Sequence, residues 1–475
     1  MIDLELLHRL EWPAPPVQDR TSGTDDNHGQ RGNDAMALHP GWSRRAFLRA
    51  SAGTAALAGA AGALTGCSSG TTASGATRVQ VWSWMTGMDQ YVAAFNAAQR
   101  EVHVDLSVIA AGLSGGYAQQ TNAIKAHNAP DILHVEYQGL IQVLATGGLR
   151  DLTDDVADLG DGYSPAAWQG VRPGGRTWAV PMDLAPMAFY YRKDLFDEHG
   201  IDVPTTWEEF RDAAAAVREA DPGARITTFP LNDGSFFAGM SWQAGDPWWR
   251  IEGDTWVVGV DGPGTMRTAE YWQDLIAADL VRGGPTGNQE WIASVHSGRL
   301  WGLLGAAWSV GTLKKSIPDD TGRWAVATMP TWDGEPANGI QGGTAFGISR
   351  ESRSPEAALT FLRWLSTDPE VPRIGASFTS PFPAYLPSRD VARTAVANDY
   401  FVGPPVYDVL DEAAARVPDW TWGPNALGLF STITDTFGGV STGRTTLPDA
   451  VRRVQSAAVS DMRDRGLSVR EGSRA

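Results

Sequence analysis

Apolar residues recur along this chain with two different periods, and the two periods alternate. In 78–84, 103–109 and 131–135 they alternate with polar residues or form short runs, which predicts β-strands. In 91–98 and 117–127 they return every three or four residues, which predicts helices. The order strand, helix, strand, helix, strand predicts a parallel sheet covered by helices, so the fold class is α/β.

The same pattern continues further along the chain. The apolar run 187–192 predicts another strand. Thr206 and Glu209 have the spacing of a capping box, which predicts a helix that ends before Pro222. Ser and Pro at the start of 354–366 predict one more helix over that range.

The N-terminal segment has the features of an export signal. Residues 1–35 are polar and aperiodic, so we expect them to be disordered or to be upstream sequence, with Met36 as the true start. Residues 43–49, which contain two consecutive arginines, resemble a twin-arginine signal. The apolar run 50–64 has about the length of a signal-peptide core and is short for a membrane span. We therefore assign 36–66 to a signal peptide.

The signal ends in Leu-Thr-Gly-Cys, which resembles the lipobox of bacterial lipoproteins. The resemblance implies that a diacylglycerol is added to Cys67 and that cleavage makes Cys67 the first mature residue. Two acyl chains are enough for stable anchoring, and 67–76 would form a flexible tether. The alternative is a buried free cysteine behind an ordinary signal peptide.

Composition and charge exclude several kinds of partner. The chain has a formal net charge of -17 and no basic run, so we expect no nucleic-acid binding. Its one cysteine allows no intrachain disulfide, and its eight histidines lack metal-ligand spacing, so we expect no metal and no cofactor. No later segment is apolar enough to span a membrane, so we expect the lipid to be the chain's membrane contact.

Several motifs, taken together, resemble family 1 of the extracellular solute-binding proteins, the sugar-binding components of ABC importers. The resemblance covers about 77 to 460 and depends on the order and spacing of the motifs rather than on any one of them. The motifs lie at 79–84, 129–137, 147–152, 178–181, 189–196, 203–207, 329–330 and 342–346.

The resemblance implies a two-lobe, periplasmic-binding-protein-like fold with a hinge and a ligand cleft between the lobes. The first lobe would hold 77–183 and 328–348, and the second 184–327 and 349–460. Residues 461–475 would form a polar C-terminal tail. The family function implies a sugar ligand, ABC importer permease subunits as partners, an extracytoplasmic location and a monomer.

A sugar ring has apolar C–H faces and a belt of hydroxyls, so a sugar cleft needs aromatic rings and hydrogen-bond acceptors. Trp84 ends the first predicted strand, where α/β sheets place ligands, although core packing is the alternative. Glu136 and Tyr137 follow the third strand in the same way, or else lie in a surface loop. Asp183 lies at the expected lobe crossing and could accept from two hydroxyls, unless it is a structural carboxylate.

The second lobe and the return crossing supply the other candidates. Trp308 has small neighbours that leave room for its ring to lie against a ligand, and Trp242 could be a second platform. Gly343 permits close backbone approach beside Thr344. Trp248 and Trp249 share the Gly- and Pro-containing stretch of Trp242, so one or two of these three could stack on a ligand, with packing as the alternative for each. Trp420 and Trp422 are weaker candidates, because a long loop could simply pack on them. Helical patterns predict core positions for Trp272, Trp291 and Trp364.

Two other functions remain open from the sequence. A secreted glycosidase would need two carboxylates about 5–10 Å apart, and sequence alone does not exclude such a pair. No phosphate-binding loop is present and the one cysteine is assigned to lipidation, so we expect no enzyme. A non-sugar ligand or a structural lipoprotein with a degenerate cleft is the other alternative.

Replacing Cys67 with Ser tests the predicted lipid anchor. Because the hydroxyl cannot form the thioether, we expect the variant to leave the membrane fraction. Cell fractionation followed by immunoblotting measures this, and equal retention of the variant and the parent would show that the lipid assignment is wrong.

Overall fold

The computed structural model describes residues 75–378, 381–396 and 399–472. The predicted extension, the signal peptide, Cys67 and most of the tether lie outside these residues. Within them, no helix is both long enough and apolar enough to cross a membrane.

Strands and helices alternate through most of the described chain. The strands are β1 (Thr77–Ser83), β2 (Val102–Val108), β3 (Ile132–Glu136), β4 (Val180–Pro181), β5 (Met187–Arg192), β6 (Thr228–Pro230), β7 (Trp249–Glu252), β8 (Thr255–Val258), β9 (Arg282–Gly284), β10 (Gly302–Ala306), β11 (Trp324–Thr328), β12 (Thr344–Ile348) and β13 (Val469–Glu471). The helices are α1 (Met88–Ala98), α2 (Gly116–Lys125), α3 (Tyr137–Ala145), α4 (Pro165–Gly170), α5 (Lys193–His199), α6 (Trp207–Ala220), α7 (Gly234–Gln243), α8 (Pro263–Ala277), α9 (Gln289–His296), α10 (Ser309–Ser316), α11 (Pro355–Thr367), α12 (Glu370–Ala376), α13 (Leu386–Ala395), α14 (Val406–Ala415), α15 (Ala426–Phe437) and α16 (Leu447–Asp464).

The first lobe is built on a five-stranded sheet in the order β2-β1-β3-β12-β4. Strand β1 pairs in parallel with β2 and β3, as the alternating sequence pattern predicts. Strand β12 comes from much later in the chain and pairs antiparallel with both β3 and β4. Residues 344–348 thus return to the sheet of the first lobe, and the full bounds 328–348 stay a prediction.

The second lobe is built on a smaller sheet in which β5 lies between β10 and β11. Both neighbours run antiparallel to β5. All six residues of β5 are buried, which explains its continuous apolar sequence. Helix α6 begins with the predicted capping box, in which Thr206 accepts a hydrogen bond from the backbone N–H of Glu209.

The assignment of 349–460 as a whole to the second lobe is wrong for α11. This helix packs against β1, β4, β12 and α1 of the first lobe. The rings of Phe95 and Phe361 lie 5.0 Å apart, and Arg363 forms an ion pair with Asp158 at 2.7 Å. The apolar face of α11 predicts a buried helix, but it does not specify which sheet the helix covers. Ser354 precedes α11, although its side chain makes no capping hydrogen bond.

The prediction of a tail over 461–475 is also wrong for 461–472, the part of it that the structure describes. Helix α16 continues to Asp464, and β13 then pairs in parallel with β8. Arg470 forms an ion pair with Glu252 across this edge. The backbone hydrogen bonds of β8 thus order a three-residue strand in which Val469 is half-buried and Arg470 and Glu471 are exposed. One apolar residue is too short a pattern for hydrophobic periodicity to detect.

Three described segments that pass between the lobes run side by side. Leu184 donates its backbone N–H to Phe382, and Gln341 donates to Ala185. Met187 donates in the same way to Gly339. These main-chain hydrogen bonds tie 182–187, 339–343 and 382–384 into one connection, which is the predicted hinge region.

Two glycines let α7 lie directly against this connection. A Cβ on Gly339 would lie 2.1 Å from the carbonyl oxygen of Gly239, and a Cβ on Gly239 would lie 2.7 Å from the carbonyl oxygen of Ile340. Main-chain atoms are therefore in contact at a point where no other residue type fits.

Replacing Gly339 with Ala should lower the free energy of unfolding by about 1–3 kcal/mol, because backbone must move to admit the methyl group. Chemical denaturation monitored by tryptophan fluorescence measures this change. The control is Gly428→Ala, which adds a methyl group to helix α15 where no atom lies within 4 Å. That change should stabilise the protein by up to about 1 kcal/mol. Equal stability of the two variants would contradict the close approach.

Candidate functional site

Three carboxylates from different elements come close together between the lobes. Glu136 ends β3, Asp183 lies in the first crossing segment, and Asp233 precedes α7. Both Asp183 and Asp233 act electrostatically on Glu136 and raise its pKa. None of the three forms an ion pair with a described Lys, Arg or His side chain, so the hydrogen bonds to them come from neutral groups. The described residues contain no group of side chains suited to hold a metal ion.

Glu136 is held by its neighbours at the end of the first sheet. The Tyr117 hydroxyl donates to Glu136 Oε2 at 2.8 Å. A Cβ on Gly112 would lie 3.3 Å from the same oxygen, so the Gly112 backbone lies against the carboxylate. Removal from water is the largest cause that raises the pKa of Glu136 to about 7, although the Tyr117 hydrogen bond opposes the shift.

Asp183 lies between two backbone segments at the crossing. Its Oδ1 accepts the backbone N–H of Thr344 at 2.7 Å, and its backbone carbonyl accepts the Tyr137 hydroxyl at 2.9 Å. Burial raises the pKa of Asp183 to about 6, while the Thr344 hydrogen bond acts in the opposite direction. The side chain therefore keeps acceptor capacity beyond the bond to Thr344.

Asp233 connects the second lobe to the return crossing. Its Oδ1 accepts the backbone N–H of Phe236 at 3.0 Å, which caps α7. Its Oδ2 accepts from Gln341 Nε2 at 2.7 Å. The backbone carbonyl of Gln341 accepts a hydrogen bond from Trp308 Nε1 at 3.1 Å. Trp308 keeps 45% of its surface exposed. The network fixes Trp308 by its edge and leaves much of the ring accessible.

Tyr137 fits into a slot between two glycines. A Cβ on Gly170 would lie 2.7 Å from Tyr137 Cδ1, and one on Gly343 would lie 2.6 Å from Cε2 on the other side of the ring. Gly343 also has φ +104°, a conformation that other residues rarely adopt. The two glycines therefore set the position of the ring beside Asp183.

A cavity of about 480 Å³ opens beside Tyr137. Its volume lies in the range of about 300–1,000 Å³ that is typical of small-molecule sites. Its walls combine aromatic rings with polar groups and glycine backbone, a mixture suited to a polyhydroxylated ligand. Residues that line it include Tyr137, Gln169, Gly170, Arg172, Trp420 and Trp422.

Trp84 lies in a cluster of rings at the end of the first sheet. It stacks on His134 with centroids 3.8 Å apart and meets Tyr117 edge-on at 5.2 Å. The His134 ring accepts the Ser83 hydroxyl at Nδ1, and burial lowers the pKa of His134 to about 3, so the ring is neutral. One face of the Trp84 ring is therefore covered by His134, although the side chain as a whole is half-buried.

The prediction that Trp242 is an open platform is wrong for this structure. Trp242 is only 2% exposed because Trp420 and Trp422 pack against it. Trp248 and Trp249 are also buried. Trp420 and Trp422 line the cavity instead, and the sequence ranked both lower because a tryptophan in a long loop is as consistent with packing as with binding.

Several lining residues were missed because they lie between the regular elements. Gln169, Gly170 and Arg172 belong to a short helix and the turn after it, and no periodic pattern singles them out. Asp233 could have been found, because an Asp three residues before an apolar helical position is an N-cap signal.

The raised pKa values of Glu136 and Asp183 predict how stability depends on pH. Their ordinary values are 4.5 and 3.8, so the folded protein holds protons that the unfolded chain has already lost. The contribution of these two groups to stability therefore falls as the pH rises from about 4 towards 7. Glu136→Gln should make this dependence shallower in thermal melts of the ligand-free protein. A variant that melts with an unchanged pH slope would contradict the assigned burial of Glu136.

Known proteins similar to this chain bind sugars. The curated relatives include a lactose-binding protein of Rhizobium radiobacter, 24% identical over 342 residues, which span 70% of this chain and 79% of that protein. They also include an arabinooligosaccharide-binding protein of Halalkalibacterium halodurans, 24% identical over 244 residues, which span 50% of this chain and 54% of that protein.

Solved structures show the same fold over most of the chain. The binding protein of an ABC transporter from B. animalis subsp. lactis Bl-04, solved with β-1,6-galactobiose, has a TM-score of 0.75 at 29% identity and covers 83% of this chain and 100% of that one. The galacto-N-biose-/lacto-N-biose I-binding protein from Bifidobacterium longum has a TM-score of 0.74 at 24% identity, covering 83% and 99%. The family model of the bacterial extracellular solute-binding proteins matches residues 82–371, and the chain belongs to that family.

Proposed function

We propose that this protein captures an oligosaccharide in the cleft between its two lobes and delivers it to the permease of an ABC importer. The family assignment supports extracytoplasmic solute binding in general. The proposal adds the ligand class, the mode of recognition and the closing of the lobes around the ligand.

The observation that carries the proposal is the meeting of Glu136, Asp183 and Asp233 beside an aromatic cavity. A carboxylate held away from water needs hydrogen-bond donors, and sugar hydroxyls supply several on one rigid ring. Aromatic rings can cover the apolar C–H faces of the same ligand. Tyr137 and Trp420 line the cavity, and Trp308 is held by the carboxylate network on the second lobe.

The size of the cavity and the names of the relatives both favour a ligand of more than one ring. The cavity of about 480 Å³ is lined by Tyr137 and Ile141 of α3, and the Tyr137 hydroxyl donates to the backbone carbonyl of Asp183. The relatives are named for lactose and arabinooligosaccharides, and one structural neighbour contains galactobiose. On these grounds we propose that the ligand of this chain is a disaccharide or a short oligosaccharide.

Closure of the lobes would complete the site. Glu136 and Trp84 belong to the first lobe, whereas Asp233 and Trp308 belong to the second. The crossing segments that join the lobes also carry Asp183, Gln341 and Gly343, so a change at the hinge moves ligand-contacting groups directly.

The anchoring part of the proposal depends on the lipobox at Cys67. A lipid on Cys67 would hold the protein at the outer face of the membrane, close to the permease subunits that receive the sugar. We propose that it acts there as a monomer, because one chain supplies both lobes of the cleft.

Calorimetry against a panel of lactose, galactobiose, maltose and arabinobiose tests the ligand class and the site together. Trp420→Ala should weaken binding of the preferred sugar by about 2–4 kcal/mol, as removal of an aromatic hot spot does. Asp183→Asn should cost about 1.5–3 kcal/mol, the range for a hydrogen bond to a charged group. Chromatography of the same mixtures should show no change in the sugars.

The matched controls are Trp291→Ala and Asp319→Asn, since neither residue lies at the cleft. They should leave affinity unchanged. Binding of no sugar by the folded wild-type protein, or cleavage of a sugar, would contradict the proposed function, whereas equal effects of cleft variants and controls would place the site elsewhere.

A further inference from the structure

Tyr117 connects two of the proposed ligand residues of the first lobe. It lies in the first turn of α2 and is buried. Its hydroxyl donates to Glu136 Oε2 at 2.8 Å, and its ring meets the Trp84 ring edge-on with centroids 5.2 Å apart. Glu136 and Trp84 are only half-buried, so both keep surface that a ligand in the cleft can reach.

The Tyr117 hydroxyl holds Glu136 at two points. Besides donating to the carboxylate, the hydroxyl oxygen accepts the backbone N–H of Glu136 at 3.3 Å. Burial and the neighbouring Glu136 charge raise the pKa of Tyr117 well above its ordinary value, so the phenol keeps its proton. The direction of the side-chain hydrogen bond is therefore fixed, with Tyr117 as the donor and Glu136 Oε2 as the acceptor.

Two glycines hold the Tyr117 ring in place. A Cβ on Gly112 would lie 2.8 Å from Tyr117 Cε2, and a Cβ on Gly139 would lie 2.5 Å from the Tyr117 hydroxyl oxygen. Gly139 belongs to α3, which follows Glu136 directly in the chain and packs against α2. A larger residue at either glycine would push the hydroxyl away from the carboxylate.

The groups around Glu136 make its hydrogen bond to Tyr117 important for its charge. Removal from water is the largest cause that raises the pKa of Glu136 to about 7, and the charges of Asp183 and Asp233 raise it further. The side chains of Tyr117 and Gln138 act in the opposite direction, and the effect of Tyr117 is the larger of the two. Tyr117 is therefore the main side chain that favours the ionised form of Glu136.

We propose that Tyr117 is a positioning residue for ligand capture, which occupies Glu136 Oε2 and so presents the other carboxylate oxygen to the ligand in one orientation and in the ionised form. This inference rests on the proposed function, because it takes Glu136 as a group that contacts the ligand. A carboxylate that is already held in place loses little rotamer freedom when a sugar hydroxyl binds to it, which favours affinity. Tyr117 acts through Glu136 and needs no contact with the ligand.

A double-mutant cycle tests the effect on the ligand. It uses calorimetry with the tightest-binding sugar among lactose, galactobiose, maltose and arabinobiose. Tyr117→Phe keeps the ring but removes the hydroxyl, and it should weaken binding about tenfold, as expected for the loss of one hydrogen bond to a charged group. In a Glu136→Ala background the same change should have no effect, because the group through which Tyr117 acts is gone.

The matched control is Tyr271→Phe. It also removes a buried hydroxyl, one that donates to the backbone carbonyl of Trp207 on the second lobe. It should leave the affinity unchanged.

A titration without ligand tests the effect on Glu136 itself. Carboxyl ¹³C NMR of glutamate-labelled protein follows Glu136, whose signal is assigned by its loss in Glu136→Gln. Because the Tyr117 hydrogen bond favours the ionised form, Tyr117→Phe should move the midpoint of the Glu136 titration to a higher pH. A purely structural role of Tyr117 would lower the melting temperature and leave this midpoint unchanged.

Two results would overturn the positioning role. One is a Glu136 midpoint that is the same in the wild type and in Tyr117→Phe, in samples shown by thermal melting to be folded. The other is a Tyr117→Phe variant that binds the sugar as tightly as the wild type, or whose loss of affinity persists in full in the Glu136→Ala background. Absence of sugar binding by the wild type would instead contradict the proposed function, and the titration would still decide whether Tyr117 controls Glu136.

Discussion

Glu136, Asp183 and Asp233 are brought together without a cationic partner among the described side chains, and the arrangement of the cleft depends on this constraint. Isolated charges removed from water are costly, so the fold meets them with neutral donors, from the hydroxyl of Tyr117, the backbone of Thr344 and the amide of Gln341. The pKa values of Glu136 and Asp183 are raised because this compensation is incomplete. In the proposed function, a neutral ligand rich in hydroxyls would supply the missing donors without introducing a charge.

The same place is where the two lobes are joined, so the proposed binding residues lie beside the hinge region. Crossing segments exchange main-chain hydrogen bonds there, and glycines allow backbone and rings to approach closely. Gly343 is an example, because its backbone packs against the edge of the Tyr137 ring. Its neighbour Thr344 donates its backbone N–H to the Asp183 carboxylate. A side chain at position 343 would displace the ring and strain the crossing at once.

Alternating or continuous apolar runs predicted β1, β2, β3 and β5, and the capping box predicted the start of α6, so these elements begin and end close to their predicted residues. Hydrophobic periodicity failed for β13, which is ordered by backbone pairing with β8. It also failed to show which of the two sheets α11 covers. Glu136 could be proposed as a binding residue from its place after a strand, Asp183 from the expected lobe crossing and Trp308 from its small neighbours, and all three stay predictions. Gln169 and Arg172 could not, because they come from a turn whose position depends on tertiary packing. Trp242 and Trp420 both lie near Gly and Pro residues in the sequence, and only the packing of the structure shows that Trp242 is the one that is covered.

The central claim is that a sugar closes the two lobes around these carboxylates, and a distance measurement between the lobes tests it most directly. The chain has one cysteine, so replacing Cys67 with Ser allows spin labels to be placed at Val108→Cys on the first lobe and Lys315→Cys on the second, both at exposed positions. Pulsed electron paramagnetic resonance should give a single shorter distance when the sugar selected by calorimetry is added at saturation. Saturating sugar that leaves the distance distribution unchanged would contradict the account.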